Sequence, residues 1–312
     1  MKHGGFMKLG GFLQHGGFMK HGGFMKHGGF LQRGVFMKLG GFLRHGGRWL
    51  FPLVLVAVML GLWEAGVWFW EFPHYILPAP SEIGAILIEK RALFLRHTGI
   101  TALEVLVGGL LGIAVGGVLG VFLFLSEPFE KAFYPLLITS QNVPVFALAP
   151  LLVVWFGYGL ASKVVMAAII VFFPITLAML NGLKRTDPDL IRLFRTLGAS
   201  PWQMLWKLRF PAALPALFAG LKLSVIYATI GAVLGEWVGA QGGLGYLMLS
   251  ANAQLRIAMV FGAIFCLSPI GLALLGLVTW LERRLLPWQQ ASRDDSSSVE
   301  KSPPKILGQP PG

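Results

Sequence analysis

The feature that most constrains this chain is the length of its apolar runs. Between Trp49 and Arg283, stretches of helix-spanning length carrying at most two charges alternate with short polar loops. About 20 apolar residues are what a helix needs to cross the hydrocarbon core of a bilayer. Lipid offers backbone amides no partner, so such runs must satisfy their own hydrogen bonds as helices. Only 13% of the residues are charged and 55% are hydrophobic, whereas a soluble domain carries about a quarter charged residues. The predicted fold class is all-α transmembrane.

Six spans are placed near 49–70, 101–125, 133–157, 163–181, 214–239 and 257–281. Lys and Arg concentrate in loops on the cytoplasmic side of a membrane. The 182–213 loop holds Lys184, Arg185, Arg192, Arg195, Lys207 and Arg209, and Arg283-Arg284 follows the last span. Six spans with both termini cytoplasmic satisfy this pattern. The outside loop 71–97 holds Lys90, Arg91 and Arg96, partly balanced by Glu71, Glu82 and Glu89. Within it, Ser81 is expected to cap a helix start with Glu82 in its first turn. Ile83, Ile86, Leu87 and Phe94 are expected to form an amphipathic helix at the membrane surface. In the second span, Gly108, Gly112, Gly116 and Gly120 recur at spacing four, a smooth strip for close helix packing.

The first 48 residues read differently. Phe recurs every six residues from Phe6 to Phe42, with glycine pairs between, a composition that opposes a stable helix. No single apolar core with a small-residue cleavage site marks a signal peptide. Residues 1–48 are expected to be a low-complexity basic tail, 49–285 the six-span domain and 286–312 a disordered C-terminal tail. The net charge of +12 owes eight of its cations to residues 1–48. With the rest beside spans and no basic face interleaved with aromatics, nucleic acid is not an expected partner.

Several chemistries are excluded. The single cysteine, Cys266, allows neither a disulfide framework nor a thiolate zinc site. No Gly-x-x-x-x-Gly-Lys-Ser/Thr run exists to cradle ATP phosphates. No His-Glu-x-x-His helix or nucleophile elbow occurs either. The chain reads as a non-enzyme without a cofactor or metal.

The 182–213 loop is itself patterned as structure. Asp187-Pro188-Asp189 supplies a cap, a first-turn proline and an acid. Leu190, Leu193, Phe194 and Leu197 follow at helical spacing, and Gly198 stops the helix. Ser200-Pro201 starts a second short helix bearing Trp202, Leu205 and Trp206, which Pro211 is expected to end. Aromatic anchors presented in this way suit a protein groove.

The stretch Arg192 to Gly198, nine residues, then Leu208-Arg209-Phe210-Pro211 resembles the EAA loop of permeases in binding-protein-dependent ABC importers. Arg192, Leu193 and Phe194 stand where that loop has Glu-Ala-Ala. Further similarity runs through Ala149-Pro150-Leu151, Trp155-Phe156-Gly157, Leu197-Gly198-Ala199-Ser200, Pro211–Pro215 and Gly243-Leu244-Gly245-Tyr246. The branch resembled serves nitrate, sulfonates, taurine and thiamine-precursor pyrimidines. Gly235–Ala240 and Gln141–Pro144 are most similar to the pyrimidine members. The resemblance implies a six-helix importer permease in the plasma (inner) membrane. Its implied partners are an ATP-binding cassette ATPase, an extracytoplasmic substrate-binding protein and a second permease copy. ATPase coupling would fall to Arg192, Gly198, Trp202, Leu205, Trp206 and Pro211.

Three charges within the spans, Glu64, Lys222 and Glu236, bear on the pathway. An ion-coupled secondary transporter, the rival reading, would call for mid-span ionisable groups and inverted repeats. Lys222 can snorkel from near its span's cytoplasmic end, and Glu64 sits beside interfacial Trp63. Glu236 precedes the Gly242-Gly243-Leu244-Gly245 break. With Trp237, and with Gln141 and Asn142 ahead of Pro144, it is expected to line the substrate pathway.

Overall fold

The computed structural model describes residues 50–287, so the expected tail 1–48 and all but the first two residues of the expected tail 286–312 lie outside the described residues. All regular structure among the described residues is helical. Five helices are long and apolar enough to span a membrane, and a bent pair makes a sixth if it counts as one span.

By internal contacts the chain divides after Gly61. Up to that point lies the first part of helix α1 (Leu50–Phe69), a run of exposed Leu, Val and Phe with no polar face. The second unit begins with the remainder of α1 and continues through α2 (Pro80–Glu89) and α3 (Arg91–Leu125). Glu64 caps the start of α2, accepting the Ser81 amide at 3.0 Å and the Ser81 hydroxyl at 2.6 Å. Ser81, expected to be the cap, is instead a donor to it, because a carboxylate is favoured at the positive end of a helix. The surface helix also differs from expectation. It breaks at Lys90, and Ile83 and Phe94 are buried. Phe94 packs with Leu244, Met259 and Ala263, so apolar side chains expected at the headgroups are drawn into protein.

Helix α3 starts ten residues before the expected span because nothing in 91–100 interrupts a helix. Its glycine strip lies on α6 (Leu160–Lys184). A Cβ on Gly108, Gly112, Gly116 or Gly120 would come within 2.8, 2.7, 2.5 and 2.8 Å of the carbonyls of Val164, Ala168, Phe172 and Thr176. The strip is therefore a backbone-to-backbone contact. Between these helices, the expected span 133–157 is broken. Helix α4 (Glu127–Ser140) and the segment Val145–Phe156, which ends in α5 (Ala149–Phe156), meet at 92°. Pro144 has no amide to donate and disfavours helix at Val143, which explains the bend.

The loop after α6 forms α7 (Pro188–Thr196), capped by Asp187 through the Asp189 amide at 2.8 Å. Gly198 turns the chain at φ +74°, a conformation costly for residues with a Cβ. Helix α8 (Pro201–Met204) then opens on a reciprocal Ser200–Gln203 cap. It does not end at Pro211 as expected. A widened turn over Leu205–Arg209 leads straight into α9 (Phe210–Gly239). Widening the turn moves the hydrogen bonds away from the position where proline lacks a donor. Pro201–Gly239 is one 39-residue apolar helix. Helices α10 (Leu244–Ala253) and α11 (Ile257–Leu285) are the last among the described residues. The core lies where α3, α6 and α9 meet, around Val105, Val171, Ile175, Ala228 and Ala232.

Candidate functional site

Two sites stand at opposite ends of the Pro201–Gly239 helix. At its start, Trp202 and Trp206 are 62% and 46% exposed and meet edge to face with centroids 5.6 Å apart. Leu193 and Leu197 of the preceding loop are also exposed, at 51% and 74%. Beneath this patch, Met204, Leu205 and Leu208 are buried and fasten the segment to the body. Leu205 packs with Met179, Leu183 and Ala213. The Arg209 guanidinium donates to the Leu183 carbonyl at 3.2 Å and lies over the Phe124 ring. Trp202 and Trp206 thus sit together on an anchored base, while Leu205 faces inward as part of that base. Arg192 is exposed and pairs with Asp189 at 3.3 Å. Pro211 lies in the first turn of α9.

At the other end of the helix, polar side chains gather inside the protein. Helix α3 contributes His97, Thr101 and Glu104, α6 contributes Lys163 and α9 contributes Glu236, all buried. The Thr101 hydroxyl donates to Glu236 Oε1 at 2.6 Å and accepts the Leu244 amide at 2.8 Å. The Gly245 amide donates to Glu236 Oε2, and the Gly243 amide donates to His97 Nδ1 at 2.9 Å. Lys163 Nζ lies 3.3 Å from Glu104 Oε1, and the Glu104 carboxylate has no hydrogen-bond donor of good geometry. The His97 ring stacks on Tyr246. Charges inside a membrane protein are costly unless paired or turned to water, and this cluster sets Lys163 against Glu104 and meets Glu236 with hydrogen-bond donors.

The expected pathway residues are not brought together. Gln141 lines a groove of about 1000 Å³ between α4, α6 and α9, with Ser140, Phe173 and Tyr227 among its neighbours. Asn142 is exposed in the break beside that groove. Trp237, 48% exposed, lines a separate groove of about 370 Å³ against α11. Glu236 faces the interior and lines neither groove.

Residues 108–287 match the family model described as the binding-protein-dependent transport system inner membrane component. This chain belongs to that permease family. It is 44% identical to a protein of Haemophilus influenzae named "Probable ABC transporter permease protein", over 77% of this chain and 98% of the relative. It is 38% identical to the formylaminopyrimidine transport permease protein ThiX of Halalkalibacterium halodurans, over 77% of this chain and 96% of the relative. An inward-facing structure of the MetNI methionine ABC transporter aligns with TM-score 0.51 at 22% identity, covering 61% of this chain and 97% of that one. That likeness supports the helical fold.

The permease therefore is a multi-pass inner-membrane protein of an ABC transport system. Its buried cluster was only partly foreseen from the residues. The pathway reading rests on Glu236, yet Glu104 and Lys163 are equally charges inside the expected spans 101–125 and 163–181. His97, Thr101 and Glu104, at spacings of four and three, share one helix face. That spacing was the available signal.

Proposed function

We propose that two copies of this permease form a translocation pathway for a pyrimidine thiamine precursor. An extracytoplasmic binding protein delivers the cargo, and a separate ATP-binding cassette subunit hydrolyses ATP. Both termini lie in the cytoplasm on this reading, which puts the docking surface with the basic 182–213 loop. The exposed Trp202–Trp206 pair on its buried base carries the docking proposal. Two neighbouring indoles, with Leu193 and Leu197 beside them, form an apolar patch that a groove on another protein would cover. The continuous helix behind them gives docking a direct mechanical link to the membrane body. Gly198 holds the turn that separates this helix from α7. Arg192 and Pro211 act at the margin of the surface and at its junction with α9.

The cargo reading is supported by the groove that Gln141 lines. None of its lining residues is charged, and aromatic walls with a neutral amide suit an uncharged planar ring better than a sulfonate. The named transport role of the formylaminopyrimidine relative points the same way. Asn142 and Trp237 stand at the edge of this pathway. Glu236, with both carboxylate oxygens engaged inside the fold, holds the outer end of the pathway in shape. Proteoliposomes containing permease, ATPase and binding protein should take up formylaminopyrimidine with ATP, and excess taurine should not compete. Uptake of taurine in its place would overturn the cargo reading, and uptake without the ATPase would restore the ion-coupled alternative.

A further inference from the structure

The start of α10 is capped in an unusual way. Helices are commonly capped by a side chain just before them in sequence, but Gly242 and Gly243 have none to offer. Three successive amides are met from elsewhere: Gly243 by His97, Leu244 by Thr101 and Gly245 by Glu236. The His97 and Thr101 contacts reach across 146 and 143 residues of sequence. Thr101 ties the set together, accepting from Leu244 and donating to Glu236. The glycines are required here. Gly243 adopts φ +107°, and a Cβ at Gly243 or Gly245 would collide with the Glu236 carboxylate.

Glu236 lies one turn from the end of the same unbroken helix that carries Trp202. The two residues are about 50 Å apart at 1.5 Å per residue. One side of this helix is packed from Leu205 through Ala228 to Glu236, so displacement at one end is passed along that contact toward the other. Hydrogen bonds between rigid elements are made or broken, which supplies the discrete states that coupling over distance needs. We propose that His97, Thr101 and Glu236 form a latch joining α10 to α3 and to the far end of α9, through which nucleotide-driven movement of the docking segment reaches α10. These are positioning residues, and the inference rests on the docking reading above.

The test is hydrogen–deuterium exchange over residues 243–253 in the permease–ATPase complex in lipid nanodiscs, without nucleotide and with ATP plus vanadate. Wild-type exchange is expected to differ several-fold between the two states. T101V keeps the side-chain shape but removes both donor and acceptor. It should speed exchange and erase the nucleotide difference, and T101S should restore both. E236Q, with one acceptor oxygen for two donors, should fall between and serves if T101V does not assemble. Exchange insensitive to nucleotide in the wild type would sink the latch. So would T101V accelerating exchange while keeping the full nucleotide difference, since that describes a static cap. Co-purification is read from the same preparation. An assembled complex with an unresponsive α10 sinks the latch alone, whereas absence of the ATPase sinks the docking reading and the latch together.

Discussion

The two ends of the Pro201–Gly239 helix solve opposite problems. At the Trp202 end two indoles stand exposed among the described residues, while Met204, Leu205 and Leu208 are packed inward. At the Glu236 end the polar side chains of His97, Thr101, Glu104, Lys163 and Glu236 are buried within the chain. An exposed apolar patch is completed by a second molecule, whereas a buried ion pair or cap must be completed by the fold. On the docking proposal one end is joined by a second molecule, whereas the other is closed by the fold.

The strongest way to break this comparison is to unpair the buried end. K163M leaves the buried Glu104 carboxyl without its cationic partner, and removing one partner of such a pair costs about 3–5 kcal/mol. The expected result is a large fall in the thermal midpoint of the detergent-solubilised permease, with recovery in the K163M/E104Q double variant. Unchanged melting of K163M would show that the pair is not enclosed in the membrane. Next in size is the docking end. Central aromatic anchors contribute about 2 kcal/mol or more each, so W202A/W206A should reduce ATPase co-purification by well over tenfold. Its melting temperature should stay near that of the wild type, since both rings are exposed. A large loss of stability would place the indoles in the permease's own packing.

Smaller effects sharpen the boundary between the two regions. G116A places a methyl 2.5 Å from the Phe172 carbonyl. Overpacking of that kind costs about 1–3 kcal/mol, so melting should drop without change in the ATPase retained per folded permease. Least of all, R192A removes an ion pair whose partners are 76% and 80% exposed. Such pairs contribute little, and stability should not move measurably. A marked loss of ATPase binding in R192A would enlarge the docking surface to include α7.

Much of this was legible in the residues. Apolar length marks the spans because lipid allows few alternatives to helix. The Asp187 and Ser200 caps and the Gly198 turn are local in sequence and were readable as such. The glycine strip of α3 announced close packing, although its partner α6 could not be read from it. Where local rules were applied to non-local situations they misled. Pro211 does not stop a helix, because a widened turn accommodates it. Ser81 does not cap α2, because the helix starts at Pro80 and sets Ser81 inside its first turn, where Glu64 accepts from it. Ile83 and Phe94 are not interfacial, because protein covers them.

The sequence by itself determined the solvent, the helical class, the two short helices of the 182–213 loop and the family, since each depends on composition, short spacing or motif. Only the tertiary structure decided which polar residues meet. Thr101 and Glu236 are 135 residues apart in sequence yet 2.6 Å apart in space. No periodicity carries that information, because the packing of α3, α6 and α9 creates the pairing. The same packing turns Glu236 inward while leaving its neighbour Trp237 at the surface, a division set by the rotation of one helix against two others.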